Sequence, residues 1–228
     1  MNISIKILSV LLGLSALINW WAAYTTRRRV YIITKPLVMI LWIILFIGFN
    51  GYQGDGVWFL LALLFSLAGD ILLLFSLRWF IMGLYTFFFA QVAYIIGFNQ
   101  VLPSWQLALA GIIIVAVIVS VVGLVLRKYV TRKPEIKKMV LPILSYAAVL
   151  SMMALSAVMS LFKPEWSQPA AWMAAIGGTL FLCSDLMLAY DRFIHRFKHA
   201  QALVIVTYHL AQFGLTLGYL SMAGLLKF

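Results

Sequence analysis

The chain has 228 residues, 65% of them hydrophobic and only 10% charged, with a mean hydropathy of +1.06. No water-soluble domain of this size buries that much apolar surface, so the composition excludes a soluble fold and puts the chain in lipid. The net charge of +11 could suggest nucleic acid, but the 17 Lys and Arg sit almost entirely in short loops between apolar runs, which is a topology signal.

In chain order, apolar runs bounded by charge and proline predict spans near residues 5–24, 36–50, 57–75, 79–98, 105–126, 139–162, 169–190 and 200–226. The first begins like a signal peptide, with Lys6 before the stretch Ile7 to Ile18. Asn19-Trp20-Trp21, however, puts bulky side chains where cleavage needs small ones, and Arg27-Arg28-Arg29 acts as a stop, so it reads as a retained span. The prolines (Pro36, Pro103, Pro134, Pro142, Pro164, Pro169) are expected in loops or first helical turns, where a missing N–H costs least. The lone Cys183 excludes an intramolecular disulfide and reads as a small packing residue. The fold expected is an all-α membrane protein of eight transmembrane helices, one polytopic domain over 1–228.

Assigned to alternate loops, fourteen Lys and Arg fall on one side: Arg27, Arg28, Arg29, Lys35, Arg78, six between 127 and 138, Arg192, Arg196 and Lys198. Lys6, Lys163 and Lys227 fall on the other. This bias places the richer side in the cytoplasm and both termini outside, and with the helix-only plan it points to a bacterial inner membrane.

Two segments resemble each other. Ala68-Gly69-Asp70-Ile71-Leu72-Leu73 aligns with Cys183-Ser184-Asp185-Leu186-Met187-Leu188, 115 positions on, and Ala90-Gln91 with Gly97 aligns with Ala211-Gln212 and Gly218, 121 positions on. Spans three and four thus resemble seven and eight, and an offset of four helices preserves direction through the membrane, so the expected plan is two parallel repeats over 1–100 and 101–228. Asp70 lies eight residues before Arg78 and Asp185 seven before Arg192, which sets both carboxylates roughly 10 Å below the same interface.

Ionised carboxylates at that depth are costly and should face the bundle interior; Ala62, Ser66 and Asp70 share one helix face, and Ala171, Ala174, Gly178 and Asp185 form another small-residue stripe. Two Asp in unequal surroundings can hold one proton between them, which suits acid–base work. The alternative is that each Asp only ties helices together. Polar groups able to join them are Gln91 and Tyr94 in span four, Tyr146 in span six, Ser184 in span seven, and Tyr208, His209 and Gln212 in span eight. Lys35, at the start of span two, is a candidate exposed point charge for a lipid phosphate, or a snorkelling topology residue. Asp191, His195 and His199 would share a face if the last loop were helical, but interleaved cations and the lack of a fourth ligand argue against a metal.

Lys35-Pro36-Leu37, Gly69-Asp70 with Gly83, Phe87 and Tyr94, Pro142 with Tyr146, Gly178-x2-Phe181-x2-Ser184-Asp185 and Thr207-Tyr208-x2-Ala211-Gln212 together resemble the YhhN-like lysoplasmalogenase family, from about Lys35 to the last span. The resemblance implies hydrolysis of the vinyl ether bond of lysoplasmalogens, releasing a fatty aldehyde and a glycerophospho head group, with Asp70 and Asp185 as the catalytic pair. Two positions depart from the family pattern: Gln91 stands where a histidine is frequent, and His209 where an aromatic residue is usual. The partners implied are a lysophospholipid substrate and membrane lipid, with no nucleic acid and no metal or organic cofactor. A proton-coupled transporter or flippase is the competing reading, since buried acids at a repeat interface also suit transport; a membrane scaffold is the third.

Overall fold

The structure, a computed structural model, describes residues 3–75, 77–102, 104–130 and 140–226. Pro103, Pro134, Arg132, Lys133, Lys137, Lys138 and Lys227, used above for segmentation and orientation, lie outside these residues, as do the side chains of Arg78 and Arg127. Eight helices form the described chain: α1 Ile3–Tyr24, α2 Arg28–Gly48, α3 Gly56–Leu72, α4 Leu77–Phe98, α5 Trp105–Val130, α6 Val140–Met159, α7 Gln168–Ala189 and α8 Ala200–Met222. Seven are long and apolar enough to cross a membrane, and the chain is a multi-pass membrane protein. The exception, α3, has 17 residues; it rises about 26 Å, slightly less than a hydrocarbon layer of about 30 Å.

One boundary differs materially from expectation. The second helix begins at Arg28, eight residues before the predicted start, so Pro36 lies inside it and not in its first turn. Membrane helices accommodate an internal proline when neighbours satisfy nearby backbone groups. Asn19 of α1 packs beside this stretch, donating to the Thr34 hydroxyl at 2.8 Å and to the Tyr31 carbonyl at 3.3 Å, one residue before the Ile32 carbonyl that Pro36 leaves without its helical donor. Pro142 and Pro169 sit in first turns, as expected. Cys183 is exposed on α7 and does not pack inside the bundle.

The helices pair as antiparallel hairpins. Gly48 approaches Ile5, Gly69 meets Phe87 while Gly97 meets Phe59, Gly111 meets Met159 while Gly123 meets Leu144, and Gly177 meets Leu215 while Gly218 meets Ala170. In lipid the solvent is as apolar as the side chains, so association rests on close van der Waals packing and interhelical hydrogen bonds. The α7–α8 pair shows this most directly: a methyl added at Gly177 would stand 2.5 Å from the Leu215 backbone nitrogen, and one at Gly218 2.8 Å from the Ala170 carbonyl oxygen. Backbones touch there, and only glycine permits it. The core comprises Val38, Met39 and Phe46 of α2, Phe59 and Leu63 of α3, Tyr94 of α4, Phe181 of α7 and Leu215 of α8, all fully buried. Helix α5 is outermost, packed chiefly on α6 with Ile112, Ile113 and Leu124 facing outward.

At the end opposite Asp70, aromatic rings close the bundle. Phe59 stacks on Tyr219 at 4.2 Å between centroids and meets Phe98 edge-on at 5.0 Å, and Phe98 packs on Trp166 at 5.5 Å.

Candidate active site

The stripe of small residues along α3 does what its spacing implies: Ala62, Ser66 and Asp70 are all buried, with Asp70 only 1% exposed. Because α2 starts early, Lys35 lies well over one turn inside the helix and is only 6% exposed. Its ammonium pairs with Asp70 Oδ1 at 3.1 Å. This corrects the expectation of an exposed point charge or a snorkelling residue: burial beside a carboxylate commits the ammonium to Asp70 and takes it away from a lipid phosphate.

The other Asp70 oxygen accepts from the Tyr208 hydroxyl at 2.8 Å. Behind Tyr208 the network continues inward. Gln212 donates to the Tyr208 oxygen at 3.3 Å and to Ser66 Oγ at 2.9 Å, and its carbonyl accepts from the Tyr94 hydroxyl at 2.5 Å. One turn further on, Thr216 donates to the Gln212 backbone carbonyl and accepts from the Trp42 indole at 2.8 Å. The consecutive helices α2 and α3 and the sequence-remote α8 are thus locked around one carboxylate, and each group of this network finds a partner where water is excluded.

Asp185 has different surroundings. It is partly buried, accepts a hydrogen bond from the Tyr146 hydroxyl of α6, and forms no ion pair among the described residues. Both carboxylates line one cavity of about 350 Å³, together with Lys35, Tyr146, Ser184 and Tyr208. Its remaining wall is largely apolar, from Leu73, Leu84, Phe87, Ile143 and Leu188. It lies among the ends of α2, α3, α4, α6, α7 and α8 that adjoin the basic loops, and exposed Gln201 and Arg192 stand at its mouth. Gly69 shapes the wall beside Asp70, since a methyl there would fall 2.5 Å from the Phe87 ring.

Of the residues singled out from sequence, Asp70, Asp185, Lys35, Tyr146, Ser184 and Tyr208 reach the cavity, while Tyr94 and Gln212 form the layer behind it. Ser184 spends its hydroxyl on the Val204 carbonyl at 2.9 Å, a bond between α7 and α8. Gln91 and His209 do not line the cavity. Gln91 is fully buried and stands beside the Tyr146 hydroxyl without making a hydrogen bond of ordinary geometry among the described residues; His209 accepts from the Trp20 indole through Nδ1 at 3.0 Å, and its Nε2 has no partner among them. Sequence reasoning missed Trp42 and Thr216, whose types alone carry no signal of a polar network.

The premise for a shared Asp191–His195–His199 face fails. After α7 the chain makes a π-helical turn, Tyr190–Ile194, and His195 is extended. His199 adopts a left-handed backbone and stacks its ring on Tyr24, 4.3 Å between centroids.

Comparison with curated proteins and with solved structures returned no match. The model of the YhhN family matches residues 30–219, from the first turn of α2 through most of α8, and the chain belongs to that family.

Proposed function

We propose that the protein is an intramembrane hydrolase of lysoplasmalogens, cleaving the vinyl ether to a fatty aldehyde and a glycerophospho head group. The observation that carries this reading is the pair of unequal carboxylates on one largely apolar cavity: Asp70 fixed by an ammonium and a phenol, Asp185 capped by a phenol alone. The family assignment supports it. The excess of basic residues around the cavity mouth supports placing that mouth at the cytoplasmic face, with both termini outside and the chain in a bacterial inner membrane.

A vinyl ether is cleaved by protonating the carbon β to oxygen, which generates an oxocarbenium ion. Asp70, neutralised by Lys35, is the standing anion. Asp185 pairs with no cation among the described residues, and an unpaired charge is expensive at this depth, so it carries the transferable proton. Asp185 gives that proton to the β-carbon while the Asp70 carboxylate stabilises the developing cation. Water adds to the cationic carbon and returns a proton to Asp185. The hemiacetal then collapses, its hydroxyl proton passing by way of a carboxylate to the departing glycerol oxygen. Two carboxylates serving an oxocarbenium-like transition state parallel the logic of glycosidases. The stacked aromatic rings across the far end favour a pocket over a through-passage, which weighs against transport.

The test is fatty-aldehyde release from lysoplasmenylethanolamine by the purified protein in detergent. Wild type should release aldehyde, and Asp70→Asn and Asp185→Asn should each lose at least about 10²-fold in turnover, the usual scale for removing a general acid, while still binding the lipid. Undiminished turnover in either variant, or no turnover in wild type with lipid bound, would overturn the proposal.

A further inference from the structure

The proposed reaction leaves open what holds the polar end of the lipid, since Lys35 is committed to Asp70. At the cavity mouth α7 runs into the π-helical turn, a wider turn common at functional sites. Three successive residues of that turn, Asp191, Arg192 and Phe193, line the cavity. Phe193 packs edge-on against Phe80 of α4 at 6.1 Å between centroids, and the Arg192 guanidinium stands 4.4 Å above the same Phe80 ring. A ring face holds the cation at this distance without using its N–H donors. Lys35 and Arg192 are the cations on the cavity wall among the described residues, and Arg192 has no ion pair among them. Beside it, Asp191 accepts from the Phe197 backbone N–H through Oδ1 at 3.2 Å, which orients the carboxylate and leaves Oδ2 without a partner among the described residues.

A positioned cation and a positioned anion at adjacent positions form a complement to a zwitterion. We infer that Arg192 and Asp191 are the head-group subsite of this cavity, taking a zwitterionic phosphodiester such as phosphoethanolamine, with phosphate on Arg192 and ammonium on Asp191. The inference rests on the lysolipid reading above and deepens it. A guanidinium meets a phosphate through parallel charge-assisted bonds. The spacing also fits. Seven residues along the helix separate Asp185 from Arg192, a rise of about 10 Å, and the seven bonds from phosphorus to the vinyl β-carbon span roughly 9 Å when extended at ordinary bond lengths. A lipid held at Arg192 therefore presents its β-carbon at the depth of Asp185.

The test is equilibrium binding, in detergent, of three uncleavable saturated-ether analogues: an alkyl lysophosphoethanolamine, an alkyl lysophosphoglycerol and a phosphate-free monoalkylglycerol. Arg192→Gln should weaken both phosphate-bearing analogues about tenfold, or 1.4 kcal/mol, and leave the monoalkylglycerol unchanged, which also reports that the variant is folded. Asp191→Asn keeps an acceptor for Phe197 and should weaken only the phosphoethanolamine analogue, by about threefold or more. Unchanged phosphate binding in Arg192→Gln, an equal loss for all three analogues in either variant, or no loss of the ethanolamine analogue in Asp191→Asn would each overturn the inference. Because these analogues cannot be cleaved, the two readings separate. The expected pattern without aldehyde release keeps the subsite and discards the hydrolase, and aldehyde release without the pattern does the reverse.

Discussion

Replacing Lys35 by Met removes the ammonium and leaves Asp70, 1% exposed, facing apolar surroundings with Tyr208 as its remaining donor. Breaking a buried ion pair from one side costs about 3–5 kcal/mol, because the surviving charge has lost its solvent and its partner together. The retained Tyr208 bond sets the expected loss at the lower end, about 3 kcal/mol, or roughly 6–12 °C in melting temperature for a chain of this size. Asp70→Asn leaves the ammonium facing an amide and should cost a similar amount. The double variant carries neither charge, so it should be more stable than the sum of the singles predicts, with a coupling of about 2–3 kcal/mol. Thermal unfolding in detergent, followed by tryptophan fluorescence, measures all four proteins under one condition. Neutral hydrogen bonds between membrane helices couple at only about 0.6 kcal/mol. A measured coupling no larger than that would mean the pair does not exist as a buried charge pair, and the assignment of Asp70 as the standing anion would fall with it.

Other variants probe the scaffold and the second carboxylate. Gly177→Ala drives a methyl into the α8 backbone and should destabilise by about 1–3 kcal/mol, whereas Gly13→Ala, with nothing within 4 Å, should be neutral or stabilising by about 0.5–1 kcal/mol; equal melting temperatures for the two would count against close α7–α8 contact. Lys163 donates to the Phe98 carbonyl at 2.6 Å and the Val101 carbonyl at 3.0 Å, capping the C-terminal end of α4. Lys163→Met should lower stability by about 1–2 kcal/mol, and an unchanged melting curve would reduce it to a topology charge. Tyr146→Phe removes the sole hydrogen bond to Asp185 among the described residues and should slow aldehyde release about tenfold, with stability changed by less than about 1 kcal/mol; turnover equal to wild type would exclude Tyr146 from positioning the acid.

Helix number and the α3 stripe were legible because hydropathy and residue spacing report directly on a lipid environment. The connections between helices were not. A membrane helix is apolar on nearly every face, so periodicity identifies an inward face only where small or polar residues mark it, as Ala62, Ser66 and Asp70 do. Nothing in the sequence says that α8 passes close enough to α3 for Tyr208 to reach Asp70, or that Trp42 faces Thr216. Lys35 was misplaced for a local reason. Proline ordinarily marks a first turn, whereas here the helix starts at Arg28 and continues through Pro36, held against α1 by the Asn19 side chain. That extra length carries Lys35 from the interface to the carboxylate.

The two carboxylate environments bear on the internal repeat as well as on the chemistry. Asp70 takes its ammonium from α2, the helix preceding its own, and Asp185 takes its phenol from α6, the helix preceding its own. Lys35 and Tyr146 both lie between one and two turns inside their described helices. A duplicated four-helix unit would account for this placement, with α2 matching α6 and α3 matching α7, and also for the lipid-facing positions of α1 and α5, the first helix of each half. On that reading the duplication supplied two acids at equal depth, and divergence at a single position of the preceding helix made them unequal: a cation that holds one ionised, and a neutral hydroxyl that leaves the other able to exchange its proton. The prediction from this origin is specific. Tyr146→Lys should give Asp185 the environment of Asp70 and hold both carboxylates as anions, abolishing aldehyde release while keeping the fold. A Tyr146→Lys protein that turned over as fast as wild type would show that the inequality of the two sites is not what the reaction uses.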